Sequence, residues 1–173
     1  GDGRHVEIED AVQPVVEAIK SAHRDVSLRV YHGQKQHIVQ AGETLSSIAF
    51  DYGIPYPWIQ AENPGMDDAL SPDQVVRIPS PDVMLPLPVV EGKRIIISLT
   101  DQNVRVYEAG QLKWDWPAST GISSSPTSPG IFQVQSHTEE AYAASWNLWM
   151  PYFMGIYRPV PASSFMNGFH GYT

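Results

Sequence analysis

Four prolines, Pro79, Pro81, Pro86 and Pro88, fall within ten residues near the middle of the chain. Proline lacks a backbone N–H and fixes φ, so neither a helix interior nor a central strand runs through such a stretch. The chain is thereby divided, and its two parts read differently. Before the division apolar residues recur at helical spacing. From Lys93 onward they alternate or run in short stretches, as strands do. Residues 81–92 between them read as a stiff, extended linker. With 173 residues and 42% hydrophobic composition, the chain can pack one ordinary domain or two small ones.

Charge marks the same division. Residues 37–80 hold six acids and one base, Arg77, out of a net −8 for the chain. That balance argues against nucleic acid or an anionic membrane as the main partner. Cysteine is absent, which removes disulfides, thiolate metal sites and a thiol nucleophile from these residues. No metal site and no cofactor is expected. No apolar run reaches membrane-spanning length. The chain opens on Gly1 with no visible leader. Both ends read as cut from something longer, and a mature secreted protein would also have shed its leader.

Residues 1–36 read as a helix and then a strand. Ile8, Val12, Val15, Ile19 and Ala22 follow helical spacing, with Asp10 as cap and Pro14 in or near the tolerant first turn. Ser27 to Tyr31 alternates like a strand. One helix and one strand cannot make a core, so this segment reads as the tail of an upstream domain or a packing flap.

Residues 37–80 form a unit of the order strand, helix, helix, strand. His37-Ile38-Val39 opens it and Gly42 turns it. Thr44 caps a helix through Leu45, Ile48, Ala49 and Tyr52, which Gly53 stops in the left-handed region. Pro57 opens a second short helix through Trp58, Ile59 and Ala61. Asn63-Pro64-Gly65 breaks it, and residues 75–79 return as a strand.

Beyond the linker, residues 95–99 and 104–107 make a hairpin around Asp101-Gln102-Asn103. Leu112 to Ala118 is a third strand, Ser123 to Pro129 a loop, and Ile131 to Val134 a further strand. Residues 142–169 are crowded with aromatics. The expected fold is α+β: a βααβ module followed by a mainly antiparallel β domain over residues 93–173.

The 37–79 unit resembles a LysM domain. His37-Ile38-Val39-Gln40-Ala41-Gly42-Glu43-Thr44-Leu45, then Ile48-Ala49, Tyr52-Gly53-Ile54, Asn63-Pro64, Leu70, Gln74 and Ile78-Pro79 carry the likeness. Pro55 departs from the family's usual Ser or Thr cap, and Asp73 from its usual Gly. Asp tolerates the turn that this second position demands. The resemblance implies binding of N-acetylglucosamine polymers in peptidoglycan or chitin. Gly42, Glu43, Thr44, Asn63, Pro64, Gly65 and Met66 would line the groove. For Gly42, Thr44 and Asn63 taken singly, a turn- or cap-forming role is the equal alternative.

Residues 93–173 resemble the first part of a YkuD-type L,D-transpeptidase domain, lacking its last strands. Arg94 to Leu99, Val104 to Gly110, Ser119-Thr120-Gly121, Pro126 to Phe132 and Gly168-Phe169-His170-Gly171 carry that likeness. It implies a cysteine nucleophile in a Ser/Thr-x-Gly-Cys element beyond Thr173. His170 would be the base and Gly171 the orienting carbonyl. Without the resemblance His170 reads as merely solvated, as do His5, His23, His32 and His137; His37 reads as a strand residue.

Other candidates read more plainly. Ser119, Ser123 to Ser125 and Thr127 lack a Gly-x-Ser-x-Gly elbow, so a serine hydrolase is the weakest option. Asp67-Asp68 and Glu139-Glu140 are adjacent acids, which diverge on a strand and are usually solvated. Trp146, Trp149, Tyr152, Phe153 and Tyr157 read as core or a flap over the cleft before they read as a ligand platform.

The combined expectation is an extracytoplasmic L,D-transpeptidase acting on peptidoglycan glycan strands and stem peptides, present as a fragment without its nucleophile. The alternative is a non-catalytic peptidoglycan or N-acetylglucosamine binder.

Overall fold

In this computed structural model the structure describes residues 3–22, 25–67, 69–123 and 125–172. His23 and Asp68, expected to be solvated, Ser124, weighed as a nucleophile, and Thr173 lie outside the described residues. The fold is α+β, with three helices and four small sheets whose pairings are all antiparallel among the described residues. The chain divides into two units, Gly1–Pro86 with Gly130–Thr173, and Leu87–Pro129.

The first unit opens with β1 (Arg4–His5), α1 (Ile8–Lys20) and β2 (Tyr31–His32), with β1 and β2 paired. Helix α1 begins earlier than the sequence predicts. Its N-cap is Glu7, not Asp10, and Pro14 lies inside the helix rather than in its first turn. Asp10 is engaged elsewhere: its carboxylate accepts a hydrogen bond from the Tyr31 hydroxyl. The predicted strand from Ser27 shrinks to Tyr31–His32, because only those residues find a partner in β1. His32 and Arg29 bind down onto the following module. The His32 backbone N–H donates to Asp82, and the Arg29 guanidinium donates to the Leu85 carbonyl.

The central module contains β3 (Lys35–Ile38), α2 (Leu45–Tyr52), α3 (Tyr56–Glu62) and β4 (Val75–Ile78). Its local signals act as read. The Thr44 side chain accepts from Ser47 N while the Ser47 side chain accepts from Thr44 N, a reciprocal capping box. Gly53 caps α2 at φ 66°. Asp73 adopts φ 66°, the left-handed turn asked of it in place of glycine. Pro55 offers no side-chain cap, yet α3 forms with Pro57 in its first turn.

Strand β4 alternates exposed and buried residues, so Val76 and Ile78 face the helices. Together with Val39, Ile48 and Ile59 they form a closed core, and Ile59 is 0% exposed. Each such side chain contributes about 1.5–3 kcal/mol relative to exposure.

This core extends past residue 79. Pro81–Met84, inside the stretch read as linker, is a short 3-10 helix whose Met84 side chain is 1% exposed within the cluster. Tyr157, at the end of β9 (Leu148–Tyr157), is 3% exposed in the same cluster. The Phe132 ring stacks on Tyr157 with centroids 4.4 Å apart. The Trp58 indole donates to the Arg158 carbonyl at 2.7 Å. Residues 131–134, predicted as a strand, have no regular structure, since Phe132 is spent on this stacking instead of on a ladder. Strand β9 lies between β8 (Ser136–Ala143) and β10 (Asn167–Phe169). A smaller cluster of Ala143, Met150 and Phe153 packs there.

The second unit is a meander of β5 (Lys93–Ser98), β6 (Asn103–Glu108) and β7 (Gln111–Pro117). The register pairs Ile95 with Val106 and Val106 with Trp114, then Ile97 with Val104 and Val104 with Trp116. One face is therefore apolar, while Arg105 and Asp115 pair at 3.0 Å on the other. None of its described residues is buried. The loop that follows is pinned by Gly121, whose N–H donates to the Thr127 hydroxyl at 2.8 Å. A Cβ at Gly121 would lie 2.3 Å from the Ser125 carbonyl oxygen, so only glycine fits there.

Candidate functional site

The seven residues expected to face a glycan sit on two loops, Gly42-Glu43-Thr44 between β3 and α2, and residues 63–66 between α3 and β4. Their polar side chains turn out to be occupied. Asn63 is buried, and its amide nitrogen donates to the Ile59 and Arg77 carbonyls, each at 2.7 Å. Its amide oxygen accepts from Arg77 N at 2.9 Å. Asn63 thus stands in for a neighbouring strand along the outer edge of β4 and satisfies backbone groups that burial would otherwise penalise.

Glu43 is held in a similar way. Its Oε2 accepts from the Gln40 backbone N–H at 2.7 Å and lies 2.8 Å from His37 Nε2. A carboxylate only accepts, so His37 carries its proton on Nε2 in that contact. The other ring nitrogen, Nδ1, lies 3.3 Å from the Tyr52 hydroxyl, and the two rings meet edge-on. The Gln40 N–H and then His37 hold the Glu43 carboxyl below the usual carboxylate range. Thr44 is the helix cap already described. On these loops Gly42 at φ 87° and Gly65 at φ 81° have open space where a Cβ would stand. What these loops leave open is backbone, the exposed Pro64 and the half-buried Met66.

The structure also places a cavity of about 420 Å³ beside the second loop. Residues 63–66 make one wall, and Gln36, Gln74, Val75 and Arg77 make the other. Gly42, Glu43 and Thr44 do not line it. Gln36, Gln74 and Arg77 were not among the expected site residues. A signal for Arg77 existed, since it is the one base between residues 37 and 80.

His170 and Gly171 follow β10 directly. His170 is exposed, and its Nδ1 lies 2.9 Å from the Gly171 carbonyl oxygen. A carbonyl only accepts, so this contact is a hydrogen bond when Nδ1 carries the proton, which leaves Nε2 with its lone pair outward. The Gly171 N–H donates to the Pro151 carbonyl at 2.8 Å and ties the segment to β9. The aromatics of β8 and β9 divide. Phe153 and Tyr157 are buried, whereas Trp146, Trp149 and Tyr152 are exposed. Trp149 lies against Tyr142 with ring centroids 5.0 Å apart.

The chain is thus of the α+β class, with a βααβ module built on a capping box and an asparagine-pinned strand, and antiparallel β structure whose last strand is followed by His170. The LysM domain model matches residues 37–79, and the YkuD model, the L,D-transpeptidase catalytic domain, matches residues 92–172. The chain carries a LysM domain followed by a YkuD L,D-transpeptidase catalytic domain, and its function is related to the cell wall. No curated protein and no solved structure matches it. No helix among the described residues is long and apolar enough to cross a membrane.

Proposed function

We propose that the chain is the wall-binding and histidine-bearing part of an extracytoplasmic L,D-transpeptidase that cross-links or remodels peptidoglycan stem peptides. The observation that supports this reading is the order of its two matched domains, LysM and then YkuD, on one chain. The LysM loops hold N-acetylglucosamine polymer through backbone groups of residues 42–44 and 63–66, with Met66 and Pro64 as the apolar surface. Holding the polymer raises the local concentration of stem peptides.

In the chemical step, His170 Nε2 takes the proton of a cysteine thiol, and the Gly171 carbonyl holds the ring by Nδ1–H. The thiolate attacks the carbonyl carbon of the donor stem peptide. A thioester forms as the peptide bond breaks, and the terminal D-amino acid leaves with the proton on its amine. The side-chain amine of a second stem then attacks the thioester, forms the new amide and returns the proton to the thiolate. The cysteine is not among these 173 residues, so the thioester step needs a residue outside this sequence. The LysM match taken by itself is equally met by a second reading, a peptidoglycan-binding protein without catalysis.

Both readings require wall binding, which a pull-down with purified sacculi measures. The wild-type chain should co-sediment, Gly42→Trp should lose binding, and Gly42→Asn should keep most of it, because Asn tolerates positive φ. Unchanged binding by Gly42→Trp rules out the loop assignment. Intact-mass measurement after incubation with a carbapenem should show no adduct on this chain. A shift of one drug mass would refute the cysteine mechanism.

A further inference from the structure

We infer that the cavity between residues 63–66 and the β3–β4 face is a subsite for a carboxylate carried by the wall polymer. The inference rests on the glycan-binding reading above and names the chemistry of one part of that ligand. Its centre is Arg77. Among the described residues the Arg77 guanidinium makes no hydrogen bond or ion pair, although its side chain lines a cavity of about 420 Å³. Its backbone is fixed, because both N–H and C=O are bound by the Asn63 amide. The side chain therefore leaves the strand from a set point beside the loop assigned to glycan.

The other polar groups of the cavity suit an anion. Gln74 Oε1 accepts from Ser71 N at 3.0 Å, which leaves the Gln74 NH₂ to donate. Gln36 stands directly across from Arg77 in the β3–β4 register, on the same face. A guanidinium presents a planar fork of N–H donors that matches a carboxylate in two parallel bonds. Pro64 and Met66 supply an apolar wall for the carbon skeleton that bears it. The volume falls in the range of small-ligand sites, roughly 300–1,000 Å³.

The surroundings narrow the class further. The segment holds six acids against this one base. Its overall field repels an extended polyanion, while Arg77 can take a single carboxylate at close range. The ligand is thus an amino-sugar polymer with isolated carboxylates, either on an acidic ether substituent of the sugar or on an attached peptide.

Calorimetry on the full chain tests this with three probes of equal length: a neutral N-acetylglucosamine oligomer, a peptide-free oligomer bearing muramic acid carboxylates, and a peptide-bearing one. The wild type should bind at least one acidic probe about tenfold more tightly than the neutral one, the worth of a charge-assisted hydrogen bond. The acidic probe that gains identifies where the carboxylate resides. Arg77→Gln should abolish that preference and leave neutral binding within about twofold, while Arg77→Lys should keep part of it. Intact neutral binding by Arg77→Gln also shows that the variant is folded. Equal wild-type affinity for all three probes, or an Arg77→Gln variant that weakens all three alike, overturns the subsite. Failure of the wild type to bind any probe overturns the glycan reading and the subsite with it.

Discussion

In the first unit Ile48, Ile59, Val76 and Ile78 are sealed from solvent, whereas in the second Ile95, Leu112, Trp114 and Trp116 stay open, both tryptophans at 50% exposure. The residue types are alike; the difference lies in layers. Two helices laid across a two-stranded antiparallel sheet enclose a space, so a module of some forty residues can close a core. A three-stranded meander is a single layer with two faces, and it needs a second layer to bury either. Its apolar face, with Ile95, Ile97, Val104, Val106, Trp114 and Trp116 in register, has the composition of a buried face without the burial. The LysM core shows the opposite behaviour: it recruits Met84 and Tyr157 from beyond its own sequence limits.

The largest effect that tests this contrast comes from paired truncations. Ile59→Ala should cost about 2–5 kcal/mol in urea unfolding, the range for a sealed aliphatic side chain. Ile95→Ala on the open sheet should cost about 1 kcal/mol or less. Equal losses at the two sites would break the comparison.

A smaller set of variants sharpens it. Tyr157→Ala should cost about 3 kcal/mol, and hydrogen exchange should show the loss within the LysM amides. Protection unchanged in residues 37–79 would mean that the module is self-contained and that Tyr157 only borders it.

The smallest effect is electrostatic. Glu43 is held below the ordinary carboxyl range by the Gln40 N–H and by His37, so its folded pKa lies under its unfolded value. Its contribution is fully present above the unfolded value of about 4.3 and is lost as pH falls through the folded one. The stability gap between wild type and Glu43→Gln should therefore be widest near neutral pH and narrow below about pH 4. A gap that does not change with pH would remove Glu43 as the anchor of its loop.

Much of this was legible in the chain because the signals are local. A cap, a left-handed glycine stop and an i, i+3, i+4 stripe each act within a few residues, and Thr44, Gly53 and Asp73 adopt the conformations read for them. The hairpin at Asp101-Gln102-Asn103 and the third strand of the meander were legible for the same reason. The start of α1 was not legible, because Asp10 has a long-range partner in Tyr31 that no local rule reveals. The proline stretch reads as a stiff, extended linker, yet Met84 finds the core from within it. The strand at 131–134 failed because Phe132 pairs with a ring 25 positions away in sequence.

The candidate site divides along the same line. Sequence alone determined that Gly42, Glu43, Thr44 and residues 63–66 lie on two loops of one βααβ unit, and that His170 precedes a glycine. Only the tertiary structure decided what those side chains do. It turned Asn63 onto the edge of β4 and Glu43 onto Gln40 and His37. It set the Arg77 guanidinium, which among the described residues makes no hydrogen bond or ion pair, beside a cavity whose other wall is residues 63–66. The reason is physical: periodicity and turn preference are fixed by neighbours along the chain, whereas the use of a buried amide, or the neglect of a guanidinium, depends on groups that folding alone brings within hydrogen-bond reach.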